Sequence, residues 1–237
     1  MDRVVLILVA LAATSTGCID WDSLYATAPA DPDAGGDTTS PDAGEQPGDA
    51  AGCSDGVNDV VALDTPEGGE VAIVACGGSW AVPGVHTAET TCGRQAGDDG
   101  GNTSGEGCSI SDLCAEGWHV CLSADDVSAH QGAALCERLR QEDSALYVTG
   151  QVGGGDGEAC SPDGNNEESR DDVYGCGTLG IEAGECAPLD RRLALTQEGD
   201  EQGGCPLPFH CGDDTLNEAS NLTKSEPTGG GVLCCRD

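Results

Sequence analysis

Three kinds of reactive side chain stand out in this 237-residue chain: 43 acidic residues, 15 cysteines and four histidines. The histidines are His86, His119, His130 and His210, and none belongs to an H-E-x-x-H motif or a similar metal-ligand pair. The sequence GGSWA at residues 77–81 approaches the G-x-S-x-G nucleophile turn but lacks its final glycine. We therefore predict no catalytic residue. His119, which stands between two cysteines, is predicted to be a hydrogen-bonded structural histidine.

A group of oxygen-bearing side chains suits Ca²⁺, which takes carboxylate and amide ligands from loops. The group is Asp156, Glu158, Asp163, Asn165, Glu167, Asp171 and Asp172. A smaller group is Asp98, Asp99 and Asn102. Neither has the spacing of an EF-hand loop. Ca²⁺ is therefore the single candidate cofactor, and it is a hypothesis. The alternative is that residues 153–172 form a solvated acidic loop.

The cysteines indicate disulfide bonds rather than metal ligands. No C-x-x-C pair occurs, although four-cysteine zinc sites usually show that spacing. The fourteen that follow the first are Cys53, Cys76, Cys92, Cys108, Cys114, Cys121, Cys136, Cys160, Cys176, Cys186, Cys205, Cys211, Cys234 and Cys235. We predict that all of them are paired, which requires an oxidising compartment.

The first cysteine, Cys18, ends the segment MDRVVLILVALAATSTGC. Its apolar run at residues 4–13 is too short to span a bilayer, which needs about 20 residues. The segment resembles a bacterial lipoprotein signal peptide, which implies cleavage before Cys18 and acylation of that cysteine. The odd cysteine count agrees, because Cys18 would otherwise be a leftover thiol. An ordinary secretory signal that leaves a free thiol is the alternative.

The resemblance also implies a location. Ile19, the residue after the cysteine, favours the outer membrane or cell surface over retention at the inner membrane. Several acyl chains on Cys18 would anchor the protein stably to the cell envelope.

The sequence divides into a signal peptide at residues 1–17, a lipid-anchored acidic tether at 18–52 and a cysteine-rich extracytoplasmic domain at 53–237. The tether is too polar to fold, so we predict that it is disordered. In the domain, Ser123 opens an S-x-x-D cap, and apolar spacing predicts one main helix over about 124–141. Short strands are predicted at 57–63, 70–76, 145–152, 191–196 and 231–235. The predicted fold is a small disulfide-rich α+β domain with long loops, including a polar surface loop at 93–107.

Two adjacent cysteines, Cys234 and Cys235, fall in the last predicted strand. Neighbouring side chains on a strand point to opposite faces, and adjacent cysteines rarely bond each other. This strand should therefore be central in the sheet and bonded to two different elements.

The stretch at residues 114–139 contains CAEGWHVC followed by a helix that ends in ALCERL, and VLCC follows at residues 232–235. These motifs resemble a C-type lectin-like domain, in which a Cys-x-x-Gly-Trp segment precedes a helix with a core cysteine. The resemblance implies a calcium-dependent carbohydrate-binding module.

The net charge of −34 argues against nucleic acid as a partner, because phosphate backbones would be repelled. Our main hypothesis is a lipid-anchored cell-envelope surface protein with a disulfide-stabilised binding or structural domain. Its partners would be the membrane, through Cys18, and an unknown protein or glycan. The carbohydrate-binding module is the first alternative and a secreted hydrolase the second.

Overall fold

The computed structural model describes residues 51–61, 70–153, 171–195, 205–214 and 216–237. They belong to one compact unit, Gln46–Asp237. The predictions for the signal peptide, for Cys18 and for most of the tether fall outside these ranges. Among the described helices, none has the length and apolar character needed to cross a membrane.

An eight-stranded sheet forms the centre of the domain. Its strands are β1 (Val60–Val61), β2 (Ile73–Gly77), β3 (Trp118–Val120), β4 (Leu146–Gly153), β5 (Asp172–Gly177), β6 (Ile181–Glu182), β7 (Arg191–Leu193) and β10 (Gly230–Arg236). Their order is β1-β2-β10-β4-β5-β7-β6, and β3 also pairs with β10. The β10–β4 pair is parallel and the other pairs are antiparallel. Strands β8 (Phe209–His210) and β9 (Thr223–Lys224) form a separate ribbon.

Each face of the sheet packs against its own hydrophobic core. Alternate residues of β10, such as Leu233 and Cys234, contribute to opposite cores, as the strand period requires. One core is covered by helices α1 (Ala124–Ala129) and α2 (Gly132–Leu139). The other is covered by the β8–β9 ribbon, by a 3₁₀ helix at Ile110–Leu113 and by the short helix α3 (Glu218–Asn221). The fold is α+β, as the sequence predicts.

Six disulfides reinforce these layers: Cys53–Cys76, Cys92–Cys108, Cys114–Cys234, Cys121–Cys235, Cys136–Cys176 and Cys205–Cys211. Cys186 is also disulfide-bonded. Cys160 lies outside the described residues. Two groups with metal-ligand proximity, Cys92/Cys108/Asp112 and Cys121/Asp126/Cys235, use their sulfur atoms in these bonds instead. The predicted disulfide-rich character is confirmed.

The position of β10 is also confirmed. It pairs with β2 along one edge, and along the other edge with β4 at its start and β3 at its end. Cys234 bonds to Cys114, which follows the 3₁₀ helix, while Cys235 bonds to Cys121, which follows β3. The adjacent cysteines therefore attach the central strand to elements on both sides of the sheet.

The prediction of one continuous helix over about 124–141 is wrong. The helix begins as expected, because the Ser123 hydroxyl accepts a hydrogen bond from the Asp126 amide at 3.1 Å. It then breaks at Gln131, whose φ of 62° is left-handed. The following Gly132 packs so closely on Val127 that a Cβ there would overlap that side chain. The chain therefore forms α1 and α2, and α2 is held to β5 by Cys136–Cys176.

Strand β5 was not predicted, and the acidic loop assigned to 153–172 is shorter at both ends than expected. Gly153 completes β4 and Asp172 begins β5. The strand contains two glycines, which usually weaken a strand. Gly175 is required here because a Cβ would overlap the carbonyl oxygen of Tyr147 on the neighbouring strand.

We predict that the two bonds of β10 stabilise the domain non-additively. They close loops of 120 and 114 residues. Once either bond exists, the other closes a ring of only roughly nine residues, which stabilises by about 2–3 kcal/mol rather than about 5 kcal/mol. Removing either pair (C114A/C234A or C121A/C235A) should lower the unfolding free energy by about 2–3 kcal/mol, and removing both by about 7 kcal/mol.

Denaturant unfolding of the purified, oxidised protein measures these values. The double substitution C205A/C211A is the control. It should lower the unfolding free energy by the same amount whether or not the two β10 disulfides are present. Simple additivity of the two β10 pairs would contradict the prediction.

Candidate functional site

The serine and histidine side chains do not assemble a nucleophilic site in the described ranges. Ser79, from the GGSWA segment, is fully buried, and its hydroxyl donates to the carbonyl of Thr103. His210 Nε2 lies 2.9 Å from Ser225 Oγ, but both residues are exposed. The same hydroxyl also lies within hydrogen-bond distance of the Pro208 carbonyl, at 3.3 Å. No described carboxylate orients His210 for base catalysis.

His119 is hydrogen-bonded, as predicted. Its Nδ1 lies 2.6 Å from Asp237 Oδ1, and its Nε2 lies 3.3 Å from Asp126 Oδ2. The neighbouring His130 contacts the Asp126 carbonyl at 2.8 Å and the Arg236 carbonyl at 3.0 Å. These contacts hold α1 against the end of β10, which is a structural role.

Only two of the seven residues in the calcium hypothesis are described. Asp172 is fully buried and forms an ion pair with Arg192. Burial raises the pKa of Asp171, while nearby His86 and a hydrogen bond from the Ala219 amide oppose that shift. Asp156, Glu158, Asp163, Asn165 and Glu167 lie outside the described residues. Calcium binding stays a prediction.

The described residues form a groove of about 130 Å³, called the Arg94 groove. Its apolar lining is Val85, Ala88, Trp118, Val120 and Leu122, and its polar lining is His86, Thr87, Arg94, Ser111 and His119. No acidic residue lines it, although the chain has 43. A more open hollow of about 270 Å³ shares His86 and Thr87 with it. His86 therefore stands between two concave surfaces.

The carboxylate of Asp112 organises the polar side of the groove. It is fully buried and accepts hydrogen bonds from the backbone amides of Thr91 at 2.9 Å, Arg94 at 2.8 Å and Ser109 at 2.8 Å. Burial opposes its ionisation, but the backbone donors outweigh burial and hold the pKa of Asp112 below its usual value. This carboxylate therefore fixes the backbone that carries Arg94, whose φ is 58°.

The guanidinium of Arg94 has backbone partners only. Its Nη1 donates to the carbonyls of Ser111 and Cys114. Among the described residues it forms no salt bridge, whereas Arg140, Arg192 and Arg236 each pair with a carboxylate. Arg138 likewise donates to a backbone carbonyl, that of Val61, but it does not line the groove.

Strand β3 supplies the apolar wall. Trp118 and Val120 are at least 95 % buried. The Arg236 guanidinium lies 5.8 Å from the centroid of the Trp118 ring and holds it in place. Leu122, just beyond the strand, is 64 % exposed at the groove. The wall is rigid, and Leu122 is its accessible part.

Sequence analysis missed this groove. Arg94 lies in the polar stretch predicted as a surface loop, and Asp112 lies in a four-residue 3₁₀ helix whose S-x-x-D capping box, from Ser109 to Asp112, was not used. The available signals were this capping box and the scarcity of bases, since the chain has nine Lys and Arg residues. Nothing in the sequence indicated that residues near 86, 94, 111 and 118 would meet.

A buried carboxylate lies on α3, outside the groove. Glu218 is fully buried, and its Oε1 accepts a hydrogen bond from the Leu195 amide at 3.0 Å. Within the described ranges its Oε2 has no partner. Burial, with a smaller contribution from Asp171 and Asp172, raises the pKa of Glu218 to about 7. This group therefore destabilises the fold when it ionises.

Lys224 in β9 is also buried, and it has a structural role. Its ammonium donates to the Gly78 carbonyl at 3.0 Å and to the Glu226 carbonyl. Burial lowers the pKa of Lys224 to about 8, although Asp98 and Asp59 oppose this shift. It lines neither of the two hollows described above.

Comparison with known proteins finds no family model, no curated protein and no solved structure that matches this chain. Its function must therefore be inferred from the residues and their geometry.

We expect Asp112→Asn to destabilise the domain. The folded-state pKa of Asp112 lies below its unfolded value, so its stabilising contribution is present above about pH 4 and is lost as the pH falls through the folded value. The amide would face several N–H donors with its own NH₂ group and lose charge-assisted hydrogen bonds. Denaturant unfolding should show a loss of about 3 kcal/mol at pH 7, and a smaller loss near pH 3.

Asp99→Asn, at an exposed site in the polar stretch at 93–107, is the matched control and should change stability little. Equal effects of the two substitutions would contradict the role assigned to Asp112.

We expect Glu218→Gln to stabilise the domain at alkaline pH. Because the folded-state pKa is raised, the folded protein binds more protons than the unfolded chain between about pH 4.5 and 7, so wild-type stability falls as the pH rises through this window. The glutamine keeps its acceptor for Leu195 without the charge. The gain should be about 1–3 kcal/mol at pH 8 and near zero at pH 4.

Thermal unfolding as a function of pH measures this difference. Glu89→Gln, at an exposed position, should show no such pH-dependent gain. A Glu218→Gln gain that is equal at both pH values would contradict the titration of Glu218.

Proposed function

We propose that this protein is a lipid-anchored binding protein of the cell envelope, held to the membrane through Cys18. The lipoprotein-like segment at residues 1–18 and the odd cysteine count support the anchor. The observation that carries the proposal is that all thirteen described cysteines are disulfide-bonded. Such complete pairing is typical of an oxidising, extracytoplasmic compartment, and Ile19 favours the outer membrane or surface.

Binding is a better-supported role than catalysis. The Arg94 groove combines a fixed apolar wall with a few polar groups, which is typical of small-ligand sites. Neither Ser79 nor Ser225 is activated as a nucleophile. The ligand would enter beside exposed Leu122 and meet the guanidinium of Arg94.

The anchor is tested by Cys18→Ser. Wild-type protein should partition into the detergent phase of a detergent–water split, because several acyl chains are buried stably in micelles. The variant should move to the aqueous phase, and the intact mass of the wild type should exceed that of the polypeptide by the acyl groups. Thr14→Ser, in the same segment, should leave partitioning unchanged. Aqueous wild-type protein without added mass would contradict the anchor.

A further inference from the structure

We propose that the Arg94 groove binds a carboxylate carried on a single six-membered ring, with Arg94 as the partner of the carboxylate. This inference rests on the proposed function, since it assigns a ligand class to the same groove. Two kinds of molecule carry a carboxylate on such a ring: an aromatic acid and a uronic acid of a polysaccharide.

The donors left free on Arg94 define the anion. A guanidinium has five N–H groups in a planar fork. The two on Nη1 face the carbonyls of Ser111 and Cys114, which leaves the Nε–H and the Nη2 group without a described partner. These remaining donors are arranged to bind both oxygens of one carboxylate. Because these carbonyl partners are neutral, no carboxylate pairs directly with the Arg94 guanidinium among the described residues.

Preorganisation strengthens this site. The Arg94 backbone is held by the buried carboxylate of Asp112, and its side chain by two carbonyls. Little conformational entropy is therefore lost when a ligand binds. His86 is exposed at the same groove, so its ring nitrogens offer a second hydrogen-bonding group beside Arg94. Asp171 lies close enough to His86 to interact with it electrostatically.

The charge distribution selects an anion despite the net charge of −34. At physiological ionic strength, charges beyond about 8 Å are largely screened, so the local lining dominates. That lining contains an arginine and no acid. The carboxylates of Asp126 and Asp237 are already hydrogen-bonded to His119.

Size and apolarity define the rest of the ligand. A closed cavity of about 150 Å³ holds a benzene molecule, so a groove of about 130 Å³ has the order of size of one ring and is far smaller than a peptide. Leu122, which is 64 % exposed, offers apolar surface to the ring, and the buried Trp118 and Val120 lie behind it. A ring with a carboxylate satisfies the wall and Arg94 together.

The test is a ¹⁵N NMR titration of the full-length, detergent-solubilised protein with benzoate, glucuronate and benzamide. Benzamide has the shape of benzoate without its charge. Benzoate or glucuronate, or both, should give saturable shifts of the groove amides and the Trp118 indole, and benzamide should bind about tenfold more weakly. The stronger of the two acids identifies the source.

Leu122→Asp places a carboxylate at the rim and should abolish acid binding. Leu207→Asp makes the same change at a leucine that is 78 % exposed and lies outside the groove lining, and it should have no effect. Arg94→Gln should weaken acid binding without affecting benzamide, and Arg140→Gln is its charge-matched control.

The outcomes separate the two proposals. Equal binding of benzamide and benzoate would overturn carboxylate recognition and leave the groove as a ligand site. Shifts that survive Leu122→Asp would also overturn it. Absence of binding by all three probes would overturn both carboxylate recognition and the assignment of the groove.

Discussion

The pairing of β10 with its neighbours, together with its two disulfides, is the constraint on which the rest of the domain depends. The strand contributes alternate side chains to two separate cores, and its adjacent cysteines bond to Cys114 and Cys121. Leu, Ile, Val and Phe nevertheless make up a small share of residues 53–237. Covalent closure therefore restricts the unfolded chain and compensates for what burial alone does not supply.

The same strand positions the candidate site. β3 pairs with β10, so Trp118 and Val120 are placed by the centre of the sheet rather than by a loop. The opposite side of the groove depends on Asp112, whose 3₁₀ helix ends at Cys114 and is thereby bonded to β10. Both walls are attached to one strand, and their spacing does not depend on the less regular segments between them. A rigid frame favours affinity for a small ligand, because little conformational entropy is lost in ordering the site when the ligand binds.

Sequence reasoning captured the features that are local or covalent. The cap at Ser123 follows from spacing within a few residues. Cysteine chemistry indicates the disulfide-rich α+β class and the central position of the strand that contains Cys234 and Cys235. It missed features set by contacts between distant segments. The break at Gln131 depends on packing around Gly132, and β5 depends on the close approach of Gly175 to Tyr147. The Arg94 groove is assembled from four separate segments, and no local pattern identifies it.

The central place of β10 has a consequence for the order of biogenesis. Strands β2 and β4 are complete long before residue 230, but they are neighbours of β10 in the sheet and not of each other. When such a chain crosses a membrane channel from its N-terminus, β2 and β4 therefore lack the strand that lies between them until β10 emerges. If the chain is exported as proposed, the sheet cannot close until β10 has emerged, and Cys114 and Cys121 meet their partners Cys234 and Cys235 only at that stage.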